Sequence, residues 1–185
     1  DADDLILPED KLKFISLKES LSSDVDAVMM KYNTGFDSQD KVLFSYYRER
    51  LTKRSRNFKW HEPVHEYLAI EGNIINSDIC ITHTKKSSSY SGRNLRIYEN
   101  LLKNGTKLTP RGRYYYAREL KDNGKYEDAS IQFNIFLEEG HGWIEDNIAA
   151  CGETAKCYLM CGEEEKAVLA MLQSFSYDVP RAELC

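Results

Sequence analysis

Apolar and polar positions alternate in two different rhythms along this chain, and the change of rhythm divides it. After Pro8-Glu9-Asp10, residues Leu12, Ile15, Leu17 and Leu21 recur at roughly helical spacing, with the proline at an early helical position, so the spacing predicts a helix there. Short β-type runs follow: Ala27-Val28-Met29-Met30, Val42 to Tyr47, Tyr67-Leu68-Ala69-Ile70 and Ile79 to His83. Asn33-Thr34-Gly35 and Glu71-Gly72-Asn73 read as the turns between them. The polar stretch Lys85-Lys86-Ser87-Ser88-Ser89 has no periodicity and marks a boundary, giving one region over 1–86 and another over 87–185.

From Arg93 onward the period becomes helical, through Leu95, Tyr98, Leu101 and Leu102 and then Tyr115, Tyr116 and Leu120. Within this half a repeat is visible. Ala117, Leu120, Gly124, Ala129 and Phe133 match Ala155, Tyr158, Gly162, Ala167 and Met171 at a constant shift of 38 residues. Small residues where paired helices approach, a glycine at the turn and large apolar residues between hairpins are what a helical-hairpin repeat requires. The helix near residues 91–103 stands as a preceding partner. Of the run Tyr114-Tyr115-Tyr116, only part can face one side, and packing between helices is its better use. The fold class expected is therefore α+β, with short mixed strands and a helix first and an all-α repeat region after them.

Composition narrows the function classes. The 185 residues are 42% hydrophobic and 30% charged, which is globular composition. A net charge of −5 argues against nucleic acid as a partner, because phosphate contacts need clustered positive charge. No apolar run is long enough for a transmembrane segment, and no basic stretch precedes a hydrophobic one as in a signal peptide. Five cysteines (Cys80, Cys151, Cys157, Cys161 and Cys185) lack paired spacing and read as reduced, buried thiols, a usage that fits the cytoplasm.

Candidate chemistry concentrates in the first half. Asp1 and Asp3, at i and i+2, can direct carboxylate oxygens at one hard divalent cation, although a solvated acidic run has the same spacing. Arg48, Arg50, Lys53, Arg54 and Arg56 form a basic cluster in an acidic protein, and alternation along a strand puts Arg48 and Arg50 on one face, suited to phosphate oxygens. Trp60 can stack on a sugar or nucleotide face or belong to the core. His83 ends an apolar strand, where it can bind a metal or a diphosphate or serve structurally. His65-Glu66 is not part of a zinc-protease HExxH motif, since Ala69 stands where the second histidine would be.

Three segments, in order, carry a family resemblance: Asp1-Ala2-Asp3-Asp4 with the Leu-Ile-Leu-Pro-Glu-Asp that follows, Phe44 to Leu51 with its arginines, and Phe58 to Leu68 with Trp60 and Val64-His65-Glu66; Ile81-Thr82-His83 then closes the set. The chain resembles the acceptor-side, C-terminal part of bacterial family 2 (GT-A type) glycosyltransferases, beginning at their Asp-X-Asp motif, and Asn123 to Ala129 resembles the turn of tetratricopeptide repeats, which some members carry after the catalytic domain. The resemblance implies transfer of a sugar from a nucleotide-diphosphate sugar to a hydroxyl of a glycan, lipid-linked or protein acceptor, usually with inversion. It implies Mn²⁺ or Mg²⁺ held by Asp1, Asp3 and His83, Glu66 as base with His65 and Glu62 as substitutes, and Arg48, Arg50 and Trp60 as donor or acceptor contacts. The nucleotide-binding half precedes this motif in the family, so the chain reads as a fragment whose sheet edges are exposed, either associating with another copy or partly disordered. The repeats suit a protein partner. A non-catalytic interaction module and a metal-dependent hydrolase are the competing classes.

Overall fold

The computed structural model describes residues 4–84 and 92–184. The chain divides into two compact units: the described residues of Asp1–His61 with Glu66–Ser89, and those of Tyr90–Cys185 with the short segment Glu62–His65. Both α and β structure are present, and the strands all lie in the first unit. Among the described residues no helix is long and apolar enough to cross a membrane.

In the first unit, β1 (Asp4–Leu5), β2 (Ala27–Phe36), β3 (Val42–Thr52) and β6 (Ile74–His83) form a mixed sheet in the order β1-β6-β2-β3. β2 and β6 are parallel and the two outer pairs antiparallel. Alternation in β2 sends Val28, Met30 and Tyr32 to one face, where they bury with Ile79 and Ile81 of β6. The helix α1 (Pro8–Ser20) covers that face through Phe14 and Leu17, with Leu21 just past its end.

The helix falls where the spacing predicts it, but its inner face is different. Leu12 is 71% exposed and Ile15 46% exposed. At about 100° per residue, positions 14, 17 and 21 form one stripe and position 12 stands nearly opposite. Pro8 at the first turn and the acidic pair Glu9 and Asp10 favour the start of the helix, in the absence of a side-chain cap.

A second correction concerns Asn33-Thr34-Gly35, which is not a turn. β2 runs through it to Phe36, with register irregularities against β3 on either side of Gly35. A β-carbon on Gly35 would stand 2.8 Å from Cβ of Phe44, so the two backbones approach too closely there for any other residue without a shift. The smaller sheet of the unit pairs β4 (Trp60–His61) with β5 (Tyr67–Leu68).

The second unit is helical: α2 (Arg93–Lys103), α3 (Pro110–Asp122), α4 (Tyr126–Glu139), α5 (Ile144–Met160) and α6 (Glu164–Gln173). The hairpins α3-α4 and α5-α6 carry the 38-residue correspondence into three dimensions. Ala117 and Ala129 are fully buried in the first, and Ala155 and Ala167 are buried at the matching places of the second. Both turns use a glycine at positive φ, +74° at Gly124 and +78° at Gly162. The ends of α3 and α5 keep the 38-residue shift, whereas α5 begins earlier relative to it and has 17 residues where α3 has 13.

The core of this unit gathers Leu95, Tyr114, Leu120, Phe133, Phe136 and Cys151. Tyr114 faces the core while Tyr115 and Tyr116 are partly buried against it, as expected of an aromatic run on a helix. Cys151 and Cys157 are buried free thiols, Cys80 is half-buried, and Cys161 is exposed, against the expectation of burial, because it follows the last residue of α5. Cys185 lies outside the described residues.

Phe133 is fully buried between the helices, whereas Leu169 on α6 is 66% exposed. Phe133→Ala is expected to lower stability by about 3–5 kcal/mol. Leu169→Ala is expected to change it by less than about 0.5 kcal/mol. Urea unfolding followed by helical circular dichroism measures both.

Candidate functional site

The end of the main sheet is where polar groups converge. Asp4 in β1 is the direct partner of His83 at the end of β6. Tyr32 completes the Val28-Met30-Tyr32 stripe, so its ring is buried with the core and its hydroxyl emerges at the sheet end. That hydroxyl donates to Oδ1 of Asp4 at 2.7 Å and lies 3.1 Å from Nδ1 of His83, which is itself 3.2 Å from the same Asp4 oxygen. Arg50 closes the group, its guanidinium 4.5 Å from the centre of the Tyr32 ring and 3.5 Å from Oδ2 of Asp4.

These contacts set the protonation states. Burial alone would raise the Asp4 carboxyl, while hydrogen bonds from Tyr32 and His83 are among the contacts that lower it, and the group lies below its ordinary range. Burial, followed by the hydrogen bond to Asp4, pushes the Tyr32 hydroxyl up to about 12, so it remains a donor at neutral pH. A carboxylate on Nδ1 fixes the imidazole ring, which is the way metal-binding histidines are commonly oriented.

Arg48 and Arg50 do not act as a pair. Between Val28/Leu51 and Met29/Glu49 the register slips, leaving Arg50 as the extra residue of a bulge. A bulge breaks alternation and re-aims its side chain. Arg50 therefore reaches Asp4, while Arg48 reaches the backbone carbonyl of Glu66 at 3.4 Å and the carboxylate of Glu49 at 3.6 Å. Glu49 in turn accepts from the amide of Leu68. Trp60 is 61% exposed and so is not a core residue, and Glu66 is also exposed.

Glu62 and His65 belong to the second unit. Glu62 accepts a 2.5 Å hydrogen bond from the hydroxyl of Thr109, which also caps α3 by accepting from the amide of Gly112. His65 stacks on Tyr115 with ring centres 4.2 Å apart, and its Nε2 is 3.4 Å from Oε1 of the buried Glu119. Asn94 donates to the same Glu119 oxygen at 2.9 Å. Glu62 and His65 both have left-handed backbones, at φ +69° and +54°, a conformation costing roughly 1–3 kcal/mol for a non-glycine residue. The contacts of their side chains and the burial of Val64 offset that cost.

Asp1 and Asp3 lie outside the described residues. Among the described residues, no three His, Cys, Asp or Glu side chains gather as a metal site. Sequence reasoning did not reach Asp4, Tyr32 or Glu119. The i, i+2 rule selected Asp1 and Asp3 over Asp4, and Tyr32 reads as one more apolar position in its stripe; the tyrosine hydroxyl, which must find a partner when its ring is buried, was the available signal. Compared with known proteins, the chain matches no protein-family model and no curated protein sequence.

Two measurements test this geometry. Because the Asp4 pKa is depressed below 3.8, its stabilising effect is present above that value and is lost as the pH falls through the folded-state pKa. Asp4→Asn is expected to cost about 1.5–3 kcal/mol at neutral pH, with the difference from wild type vanishing in acid; denaturant unfolding at several pH values reads it. Burial lowers the His65 pKa and Glu119 partly restores it. The ring proton NMR signal of His65 is expected to titrate below 6.5, and Glu119→Gln to move the midpoint lower still.

Proposed function

We propose that the chain is the acceptor-side part of a metal-assisted, inverting glycosyltransferase of the GT-A type, followed by tetratricopeptide-like helical hairpins. The observation that carries this reading is the pairing of Asp4 with His83, which brings the residue next to the acidic motif and the strand-ending histidine to one end of the sheet. The order of the motifs along the chain adds to it.

The residues fit a divalent cation in kind. Oxygen donors at Asp1 and Asp3 suit Mn²⁺ or Mg²⁺, and the carboxylate on Nδ1 of His83 is the outer partner such an imidazole receives. Asp1, Asp3 and His83 would hold the ion, which when bound supplies Lewis-acid neutralisation of the leaving diphosphate. Asp4 and Tyr32 orient His83. Glu66 takes the proton of the acceptor hydroxyl as its oxygen bonds to the anomeric carbon and the bond from that carbon to the diphosphate breaks. Arg48 steadies Glu66 by donating to its carbonyl, and the exposed ring of Trp60 offers a stacking face for a sugar. Glu62 and His65 then hold their own segment on α3 rather than replacing the base. Donor and acceptor remain the nucleotide-diphosphate sugar and a glycan, lipid-linked or protein hydroxyl, in the cytoplasm, where free thiols such as Cys151 and Cys157 persist.

One observation favours a second reading, an interaction module built on the hairpins. Leu159, Met160, Val168, Leu169 and Leu172 are 49–66% exposed on the second hairpin.

The test is donor hydrolysis by the full-length gene product with Mn²⁺ or Mg²⁺. Asp3→Asn is expected to abolish metal-dependent turnover. Asp4→Asn should weaken the apparent metal affinity about 10–100-fold. Glu66→Gln should lower kcat about 10²–10⁴-fold with donor KM little changed. No donor binding and no turnover with either metal would move the function to the hairpins, and turnover unchanged by all three substitutions would reject these residues as the catalytic site.

A further inference from the structure

β3 is the last strand of the main sheet, and among the described residues no strand pairs with its outer side. Its two halves differ. From Arg48 to Leu51 the strand is charged and half-buried, and the segment around residues 66–68 lies alongside it: Arg48 reaches the Glu66 carbonyl, and Glu49 accepts from the Leu68 amide. From Val42 to Tyr47 every residue is exposed, Leu43 by 68% and Phe44 by 60%.

The unpaired backbone groups of an edge strand are a template for another strand, and soluble proteins shield them with charges, proline or bulges. In β3 the charges stand in the second half alone. Val42-Leu43-Phe44-Ser45-Tyr46-Tyr47 has no charge and no proline, and Val42, Phe44, Tyr46 and Tyr47 are strand formers. Between the irregularities at Leu43 and Arg50 the strand runs regularly from Phe44 to Glu49. The opposite side of the sheet is better guarded. There β1 pairs with Thr82 and His83 at the end of β6, and the stretch before them carries Asn76, Ser77 and Asp78, with Asp78 ion-paired to Lys13 at 2.9 Å.

The bare segment finds its best complement in itself. A two-fold axis perpendicular to the sheet pairs two copies of β3 antiparallel, and in that symmetry residues opposite each other lie on the same face. Phe44 and Tyr46 share a face, with ring centres 5.7 Å apart, and Tyr46 meets Tyr32 edge to face at 5.7 Å. With Ser45 on the axis, Phe44 of each copy stands opposite Tyr46 of the other, and aromatic pairs across strands stabilise a sheet. Lys41 of each copy then comes toward Glu49 of the other, so opposite charges close both ends of the contact. An axis at Tyr46 would instead set Phe44 against Arg48 and Lys41 against Leu51.

We propose that the chain forms a two-fold dimer by antiparallel pairing of β3 with β3 of a second copy, centred on Ser45. The sheet becomes continuous across both copies, and the aromatic row of Tyr32, Tyr46 and Phe44 is extended through the axis. Because the far side of each sheet is short and polar, the pairing closes at two copies and does not propagate. The dimer stands apart from the transferase reading and does not depend on it.

Sedimentation velocity over a concentration series tests this. The wild-type chain is expected to reach twice its 21.4 kDa as concentration rises. Ser45→Lys and Ser45→Glu each place like charges on the axis at an exposed position, and each is expected to sediment as a monomer with unchanged circular dichroism. Mixed in equal amounts at low salt, the two variants are expected to regain the dimer, because lysine then faces glutamate. Leu169→Lys, on the exposed face of the second hairpin, is expected to leave the wild-type dimer intact. A wild type that stays monomeric at every concentration, a dimer that survives both Ser45 substitutions, a mixture that remains monomeric, or a dimer lost with Leu169→Lys would overturn the inference.

Discussion

A tyrosine whose ring belongs to the core and whose hydroxyl does not is the constraint on which the first unit turns. Tyr32 continues the apolar stripe of Val28 and Met30, so the packing of α1 on the sheet fixes where its ring lies. Its hydroxyl then has to find partners at the sheet end, and Asp4 and His83 are there because β1 and β6 pair in the register that sets them opposite each other. Arg50 is added through a bulge and lies over the same ring. Core packing, strand register and polar chemistry are thus coupled at one residue, and a change in any of them is felt by the carboxylate and the imidazole together.

The second unit obeys a different constraint, the close approach of helices at small residues. Ala117 with Ala129, and Ala155 with Ala167, let each hairpin close, and aromatic residues such as Phe133 and Phe136 fill the space that remains. The segment Glu62–His65 belongs to this unit although it is short and far away in sequence. Two left-handed, non-glycine residues in four would not persist unaided. Val64 in the core, Glu62 on the cap of α3 and His65 between Tyr115 and Glu119 make the conformation tenable.

How much of this was legible in the sequence depended on whether a feature is periodic. The hairpins were legible because alanine, glycine and large apolar positions recur at one fixed shift, and α5 is longer because it begins earlier relative to that shift. The strands of β2 and β6 were legible at their apolar centres but not at their full lengths, since polar residues such as Asn33 and Asn76 continue them. What periodicity hides are its interruptions. Bulges turn Asn33-Thr34-Gly35 from an apparent turn into strand and separate Arg50 from Arg48, and no local pattern announces either. The inner face of α1 was misjudged for a related reason, because Leu12 and Ile15 are apolar yet exposed, and only the sheet beneath shows which stripe is covered. The hydrogen-bonded trio Asp4, Tyr32 and His83 at the sheet end joins residues separated by 28 to 79 positions, a juxtaposition that only strand pairing reveals.

The basic cluster shows how such pairing alters a functional argument. In the sequence, Arg48, Arg50, Lys53, Arg54 and Arg56 read as a basic cluster, with Arg48 and Arg50 suited to phosphate oxygens. In the structure four of the five are engaged: Arg48 with the Glu66 carbonyl and Glu49, Arg50 with Asp4 and the Tyr32 ring, Lys53 with the Ser23 carbonyl, and Arg56 with Asp26 and Glu71. A guanidinium already facing a buried carboxylate exchanges one anion for another if it turns to a diphosphate, and Asp4, only 8% exposed at its side chain, would be left without part of its compensation. The cluster is therefore better understood as what holds β3 and its neighbouring loops in place. In the transferase reading the charge of the leaving group then falls to the acidic motif and its divalent ion rather than to arginines, which is consistent with a sheet end rich in oxygen ligands.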